Sequence, residues 1–170
     1  EYNGTLFGWN KGGDLVNGKY GSAYQLDGKE DYFTVSTMTR GITPVGSNTY
    51  SAWINPKGDT YAGFGAGFGG IVGYSYTGSG GSQGTIRTYN RANDKVLCEG
   101  FFGTAPGTAI TTSAASTPLN SWAYATCVFD YNGSMMNVSL YVNGAYQNSS
   151  WNNTVLNYTN TGTVYVGNER

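Results

Sequence analysis

The sequence contains no histidine. That absence removes the commonest general base near neutral pH and the commonest transition-metal ligand, and with them any serine–histidine–aspartate arrangement. Charge is also scarce: Asp, Glu, Lys and Arg make up only 11% of the residues, against about 25% in an average soluble domain. The 9 basic and 10 acidic residues leave a formal net charge of −1, so no basic field exists to hold a nucleic acid or an anionic membrane. No run of about 18 apolar residues occurs, which excludes a membrane-spanning helix. No segment of useful length places apolar residues at helical spacing. The chain opens at Glu1 without an initiator methionine or a charged-then-apolar leader, as expected of a processed or partial chain.

What is present points to a folded extended architecture. Glycine reaches 27 of 170 residues, roughly double the usual 7%. Tyrosine reaches 15 residues and aromatics together 15%, and these rings provide much of the area that burial needs. A chain of this length fits one domain, 1–170, with a core large enough to fold without a framework of disulfides. Cys98 and Cys127 both fall in strand-like segments, which fits either a disulfide between them or two buried thiols. Asn-X-Ser/Thr triplets occur at Asn3, Asn132, Asn137, Asn148, Asn152 and Asn157. They are glycan acceptors only if the chain passes a glycosylating compartment, and a chain rich in Asn, Ser and Thr also produces such triplets by chance.

Period-two alternation recurs along the chain. Tyr32 to Ser36 alternates with Phe33 and Val35 on one face. Thr49 to Asn55 reads as a strand stopped by Pro56-Lys57-Gly58-Asp59, where Pro presets φ and Gly accepts positive φ. Ala62 to Phe68 and Ile71 to Tyr76 read as a hairpin turning at Gly69-Gly70. Thr85 to Tyr89 and Lys95 to Phe102 follow, and a long connection from Gly103 to Asn120 holds one strand near Ile110. Trp122 to Asp130 places Ala125, Cys127 and Phe129 on one face, and Tyr131-Asn132-Gly133-Ser134 turns the chain. Met136 to Val142 returns with Val138, Leu140 and Val142 in phase, and Asn143-Gly144 is a type I′ turn signal into Ala145 to Gln147. Thr163 to Val166 is a short strand near the terminus. Ten to twelve short strands without helices predict an all-β sandwich or barrel. The glycine-rich spans precede no helix, which excludes a phosphate-binding loop.

Three separated segments resemble the laminin-G-like branch of the concanavalin A-like lectin/glucanase superfamily. Gly18 to Gly28, leading into Asp31-Tyr32-Phe33-Thr34-Val35, is similar to its "G-x-x-G-x-A-x-x-F-D-G-x-x-D-Y-V" opening. Tyr50 to Pro56 is similar to its "S-A-W-V" strand. Ser121-Trp122 to Phe129-Asp130, Leu140 to Gly144 and Val164 to Gly167 resemble "W-x-x-V-x-x-x-Y-D", "L-Y-V-N-G" and "L-Y-I-G". The resemblance implies a jelly-roll β-sandwich of two antiparallel sheets, with Trp53 and Trp122 in its core. It leaves activity open, because such domains serve as lectins, adhesion modules, enzymes and virion parts. Relatives usually close with one more strand after the last motif, whereas here Gly167 is followed only by Asn168-Glu169-Arg170. The segment from Tyr2 to Trp9 is the candidate opening strand. An unfilled sheet edge would be covered by a partner, by another closure, or by flanking sequence.

The acidic residues do not form the Glu-x-Asp-x-Glu strand of the glucanase relatives, so no catalytic residues are assigned and the expectation is a protein that is not an enzyme. Asp27, Glu30 and Asp31 cluster in one turn and are the candidate calcium ligands, the one cofactor considered; the plainer alternative is that Asp27-Gly28 shapes the turn. For carbohydrate, exposed rings stack on pyranose faces while amides take the hydroxyls. Trp151, Asn152, Tyr74, Tyr76 and Tyr89 are the candidate contacts, against the alternative of ordinary sheet packing. The leading expectation is an extracellular, cell-surface or virion-surface module for adhesion or glycan binding within a larger assembly. The alternative is a structural subunit of a virion appendage or extracellular filament, held by protein contacts that include strand addition.

Overall fold

The computed structural model describes residues 4–8, 15–26, 31–35, 47–57, 68–75, 82–89, 95–102, 108–112, 115–153 and 163–167. Every regular element among them is a strand: β1 (Gly4–Phe7), β2 (Leu15–Asn17), β3 (Ser22–Tyr24), β4 (Tyr32–Val35), β5 (Asn48–Ile54), β6 (Phe68–Ser75), β7 (Ser82–Tyr89), β8 (Lys95–Phe102), β9 (Thr108–Thr111), β10 (Ala115–Ser116), β11 (Ala123–Tyr131), β12 (Met135–Val142), β13 (Ala145–Asn153) and β14 (Thr163–Val166). All pairings are antiparallel. Eight strands form one sheet in the order β1-β4-β14-β6-β7-β8-β10, with β9 pairing β8 beyond β10. Four form the second sheet in the order β13-β12-β11-β5, and β2 with β3 makes a separate ribbon. The result is all-β, as the alternation predicts, and is the jelly-roll sandwich of antiparallel sheets that the resemblance implies.

The core lies where the inward phases of the two sheets meet. Along β11, Ala123, Ala125, Cys127 and Phe129 are buried while the residues between them are not. On β12 the matching positions Met136, Val138, Leu140 and Val142 are buried. From the large sheet, Val96 and Cys98 face them, with Ile71 and Val72 packed alongside. Tyr50 of β5 meets Phe129 edge-on at 5.8 Å. Each full-size aliphatic or aromatic side chain buried this way contributes roughly 1.5–3 kcal/mol. Cys98 and Cys127 are joined by a disulfide that crosses from β8 to β11 with a Cα–Cα distance of 5.6 Å. Packed sheets ordinarily stand about 10 Å apart, so the sandwich is pinched there, and the alanines at 115, 123 and 125 suit the narrow gap.

Turns follow the chemistry of their residues. Asn143 and Gly144 both hold positive φ, 53° and 79°, as a two-residue I′ hairpin between β12 and β13 requires. Asn143 also bonds across to β11: its N–H donates to the Tyr124 carbonyl at 2.8 Å, and its Oδ1 accepts from the Tyr124 N–H at 2.8 Å. In the β11–β12 turn, Asn132 Oδ1 accepts from the N–H groups of Ser134 and Met135 at 3.1 and 2.9 Å. Gly167, after β14, has φ of 95°, and a Cβ there would meet the Leu26 side chain at 2.5 Å and the Asp31 carbonyl oxygen at 3.1 Å. The final glycine of the motif is thus a point of close approach between three segments.

Three expectations need correction. Trp53 is not in the core: it is exposed, and Trp122 is only half-buried. The physical reason is parity. Tyr50, Ala52 and Ile54 point inward from β5, so Ser51 and Trp53 point outward. Gly69-Gly70 is not a hairpin turn either, because β6 runs through both residues, which pair with Thr88 and Arg87 of β7. The register shifts between Gly70 and Val72, so the glycines accompany a bulge rather than a reversal. The stretch from Ala62 to Gly67 lies outside the described residues. Finally, the strand after Asn143-Gly144 does not stop at Gln147 but continues to Asn153.

Candidate functional site

The outer face of the four-stranded sheet carries the largest exposed rings on this side of the molecule. Its layout follows from register, because paired residues share a face. Trp151 of β13 is opposite Asn137 of β12, which is opposite Asp130 of β11. The next row toward the hairpin is Ser149, Ser139, Val128 and Thr49. The row after that is Tyr146, Tyr141, Thr126 and Ser51, and beyond it Tyr124 is opposite Trp53. Ring exposure is high at the corners: 66% for Trp151, 57% for Tyr146 and 39% for Trp53.

A bulge aims one of these rings. Leu140 pairs with Asn148, but Tyr141 pairs with Tyr146, so Gln147 is the extra residue. Strict alternation would put Tyr146 on the same face as Asn148, toward the other sheet. The extra residue turns it outward, where it meets Tyr141 at 5.7 Å and its hydroxyl donates to Ser149 Oγ at 3.0 Å.

The β2–β3 ribbon supplies the far end. Its turn, closed by a bond from the Gly18 N–H to the Gly21 carbonyl at 2.8 Å, carries Lys19 and Tyr20. Tyr20 meets Trp53 edge-on at 5.8 Å and is 74% exposed. Lys19 Nζ lies 5.5 Å from the Trp53 ring centre, within cation–π range. On the other side Trp53 meets Tyr124 at 5.1 Å, and the Tyr124 hydroxyl donates to Ser51 Oγ at 2.8 Å. Tyr24 at the ribbon's other end meets Phe33 of β4 at 5.7 Å. The ribbon therefore bridges from the large sheet to the outside of the small one.

Among the described residues, charge on this face is confined to its two ends. Asp130 accepts a bond from Ser47 Oγ at 2.8 Å, and Ser47 Oγ in turn accepts from the Tyr131 N–H at 3.1 Å. Lys19 stands beside Trp53. Between them the side chains are rings, hydroxyls, an amide and Val128.

The residues singled out in the sequence are dispersed. Trp151 is on the outer face, but Asn152 pairs with Met136 and belongs to the opposite face of β13. The amide that shares a row with Trp151 is that of Asn137, whose Nδ2 donates to Ser139 Oγ at 3.2 Å. Tyr74 and Tyr89 belong to β6 and β7 of the large sheet, and Tyr76 lies outside the described residues. Asp31 is buried at the entry to β4, while Asp27 and Glu30 lie outside the described residues. Among the described residues no group of three or more His, Cys, Asp or Glu could hold a metal ion. Of the asparagines in Asn-X-Ser/Thr triplets, Asn132 is exposed in a turn, Asn137 is on the outer face, and Asn148 and Asn152 are half-buried on the inward side of β13; Asn3 and Asn157 lie outside the described residues. Tyr20, Trp53, Tyr124, Tyr141 and Tyr146 escaped sequence-based selection, although the parity of Trp53 with Ser51 was a usable signal.

The topology and the paired outer and inner faces define a jelly roll of the concanavalin A-like class. The chain belongs to the laminin-G-like family of the concanavalin A-like lectin/glucanase superfamily, whose family model matches residues 27–170. Among solved structures it is similar to an endo-1,3-beta-glucanase from Streptomyces sioyaensis, with a TM-score of 0.52 and 11% sequence identity. That match covers 91% of this chain and 62% of the glucanase chain, and at such identity the likeness is one of fold. No curated protein matches the chain in sequence.

Proposed function

We propose that this domain is a carbohydrate-recognition and adhesion module without catalytic activity, working at a cell or virion surface as part of a larger assembly. The observation that carries it is Trp151, an exposed ring in one row with the Asn137 amide and the Asp130 carboxylate. A ring offers the apolar face of a pyranose its stacking surface, and an amide with a carboxylate accepts and donates to its hydroxyls. The superfamily of lectins and glucanases supports the same ligand class.

Absence of catalysis is supported by the placement of the acids. The described carboxylates are Asp31 before β4, Glu99 in β8 and Asp130 in β11. Four strand steps separate β4 from β8 in the large sheet, and β11 is in the other sheet. Glycoside hydrolysis needs two carboxyl groups about 5–9.5 Å apart across a cleft, and among the described residues the three carboxylates belong to strands that are not neighbours. The test is a glycan array followed by titration calorimetry, with β-1,3-glucan oligosaccharides, the polymer class of the glucanase neighbour, as the first probe. Saturable binding lost in Trp151→Ala supports the proposal. Absence of binding across the array sinks recognition, and release of reducing ends from the glucan sinks the non-catalytic clause.

A second reading has one observation of its own. Among the described strands β1 pairs with β4 alone, all four of its residues are exposed, and Leu6 and Phe7 are among the exposed large apolar side chains. An edge of that kind accepts an added strand, which fits a structural subunit of a filament or virion appendage. Concentration-dependent association abolished by Leu6→Lys would favour it, and a strict monomer at all concentrations would oppose it.

A further inference from the structure

Each strand of the small sheet contributes one outward ring to the same end of its face: Tyr146 from β13, Tyr141 from β12, Tyr124 from β11 and Trp53 from β5. Tyr20 extends the series past the edge of the sheet. We infer that this band is an extended binding track for an unbranched, uncharged polysaccharide chain lying across the strands. The inference rests on the carbohydrate reading above and adds to it a second zone, apart from Trp151, together with the polymer class and its direction.

Three features of the band select that occupant. First, its length: neighbouring strands stand about 4.8 Å apart, so four strands span about 14 Å before Tyr20 is added, enough for several consecutive sugar rings. A single terminal sugar would touch one or two of these side chains. Second, its polarity alternates. The hydroxyls of Tyr124 and Tyr146 donate to Ser51 Oγ and Ser149 Oγ, which sets serine hydroxyls among the rings. Sugar rings have this same division, apolar on their faces and hydroxylated at their rims, whereas a lipid would have no use for the hydroxyls. Third, its charge. Among the described residues of the four strands and the ribbon turn, the charged side chains on this face or against its rings are Lys19 at one end and Asp130 at the opposite end of the face. An anionic polymer would find no row of cations to meet it, so the complementary chain is a neutral one.

Two exposed side chains at the opposite ends of the track make the test clean. Tyr20→Ala and Tyr146→Ala remove rings that are 74% and 57% exposed, and near-ultraviolet circular dichroism verifies that each variant stays folded. Neutral β-1,3-glucan oligosaccharides of increasing length are titrated against wild type, both variants and Trp151→Ala. A sulfated polysaccharide serves as the charged control. The track predicts affinity that rises with chain length over the first few rings, a loss of about tenfold in each end variant, and no binding of the sulfated polymer. Binding that is equal for short and long chains, or that survives both end variants while Trp151→Ala abolishes it, overturns the track and leaves single-site recognition standing. Preference for the sulfated polymer also overturns it. If wild type binds no glycan, the track and the carbohydrate reading fall together.

Discussion

Tyr20 meets Trp53 edge-on at 5.8 Å, although one belongs to the ribbon turn and the other to the edge strand of the small sheet. With Tyr124 at 5.1 Å and the Lys19 ammonium at 5.5 Å, the indole has three neighbours without being buried. A tryptophan whose motif suggests a core anchor instead organises the outer surface. Stability and surface function should therefore separate cleanly by face.

That separation is measurable by denaturation. Phe129→Ala, on the inner face, is expected to cost about 3–5 kcal/mol, the range for a buried aromatic. Trp53→Ala should cost clearly less, about 1–2 kcal/mol, because part of its area is already in water. Equal losses from urea midpoints at constant m-value would show that the indole carries core weight after all.

The disulfide closes a loop with a sequence separation of 29. Loop-closure entropy for that length is about 3–4 kcal/mol. Reduction with dithiothreitol, or the Cys98→Ala/Cys127→Ala pair, should lower unfolding free energy by about that amount. An unchanged melting temperature under reducing conditions would contradict the staple.

At the β12–β13 hairpin, Gly144→Ala places a Cβ at φ of 79°, which costs about 1–2 kcal/mol in the left-handed region. Asn143→Ala combines a φ of 53° with loss of the acceptor for the Tyr124 N–H, and should cost at least as much. Calorimetric melting of the two single variants decides it, and the reverse ranking would mean that the side-chain bond to β11 contributes little.

Glycan binding through this face should be nearly independent of salt between low and physiological ionic strength. Stacking and neutral hydrogen bonds are not screened, whereas contacts between exposed charges are. A steep fall in affinity with added sodium chloride would place the interaction on charged groups elsewhere. Asn137 must also be free of glycan for Trp151 to be reached along its row, so peptide mass spectrometry of natively produced protein should find Asn137 unmodified.

The sheet-forming segments were legible because alternation is a direct image of a two-sided strand. The phases of β11 and β12 and the I′ turn at Asn143-Gly144 could be read from single residues. Gly69-Gly70 misled because the same backbone freedom serves a turn and a bulge, and only a pairing partner tells them apart. The surface site was much less legible. Trp151 could be picked out by its polar surroundings, but sequence adjacency made Asn152 look like its neighbour when alternation sends it to the other side. Asn137, its true companion on that face, is fourteen positions away in sequence and becomes visible only through the β12–β13 register. Tyr146 was hidden by a single inserted residue that reverses its direction.

That inserted Gln147 has a wider consequence. Which side chains of the β13 arm face outward is decided by a count of one, so the spacing of a short hairpin acts as a selector for what the molecule displays. Lineages could gain or lose an outward tyrosine by adding or dropping one residue in that arm, leaving the interior untouched.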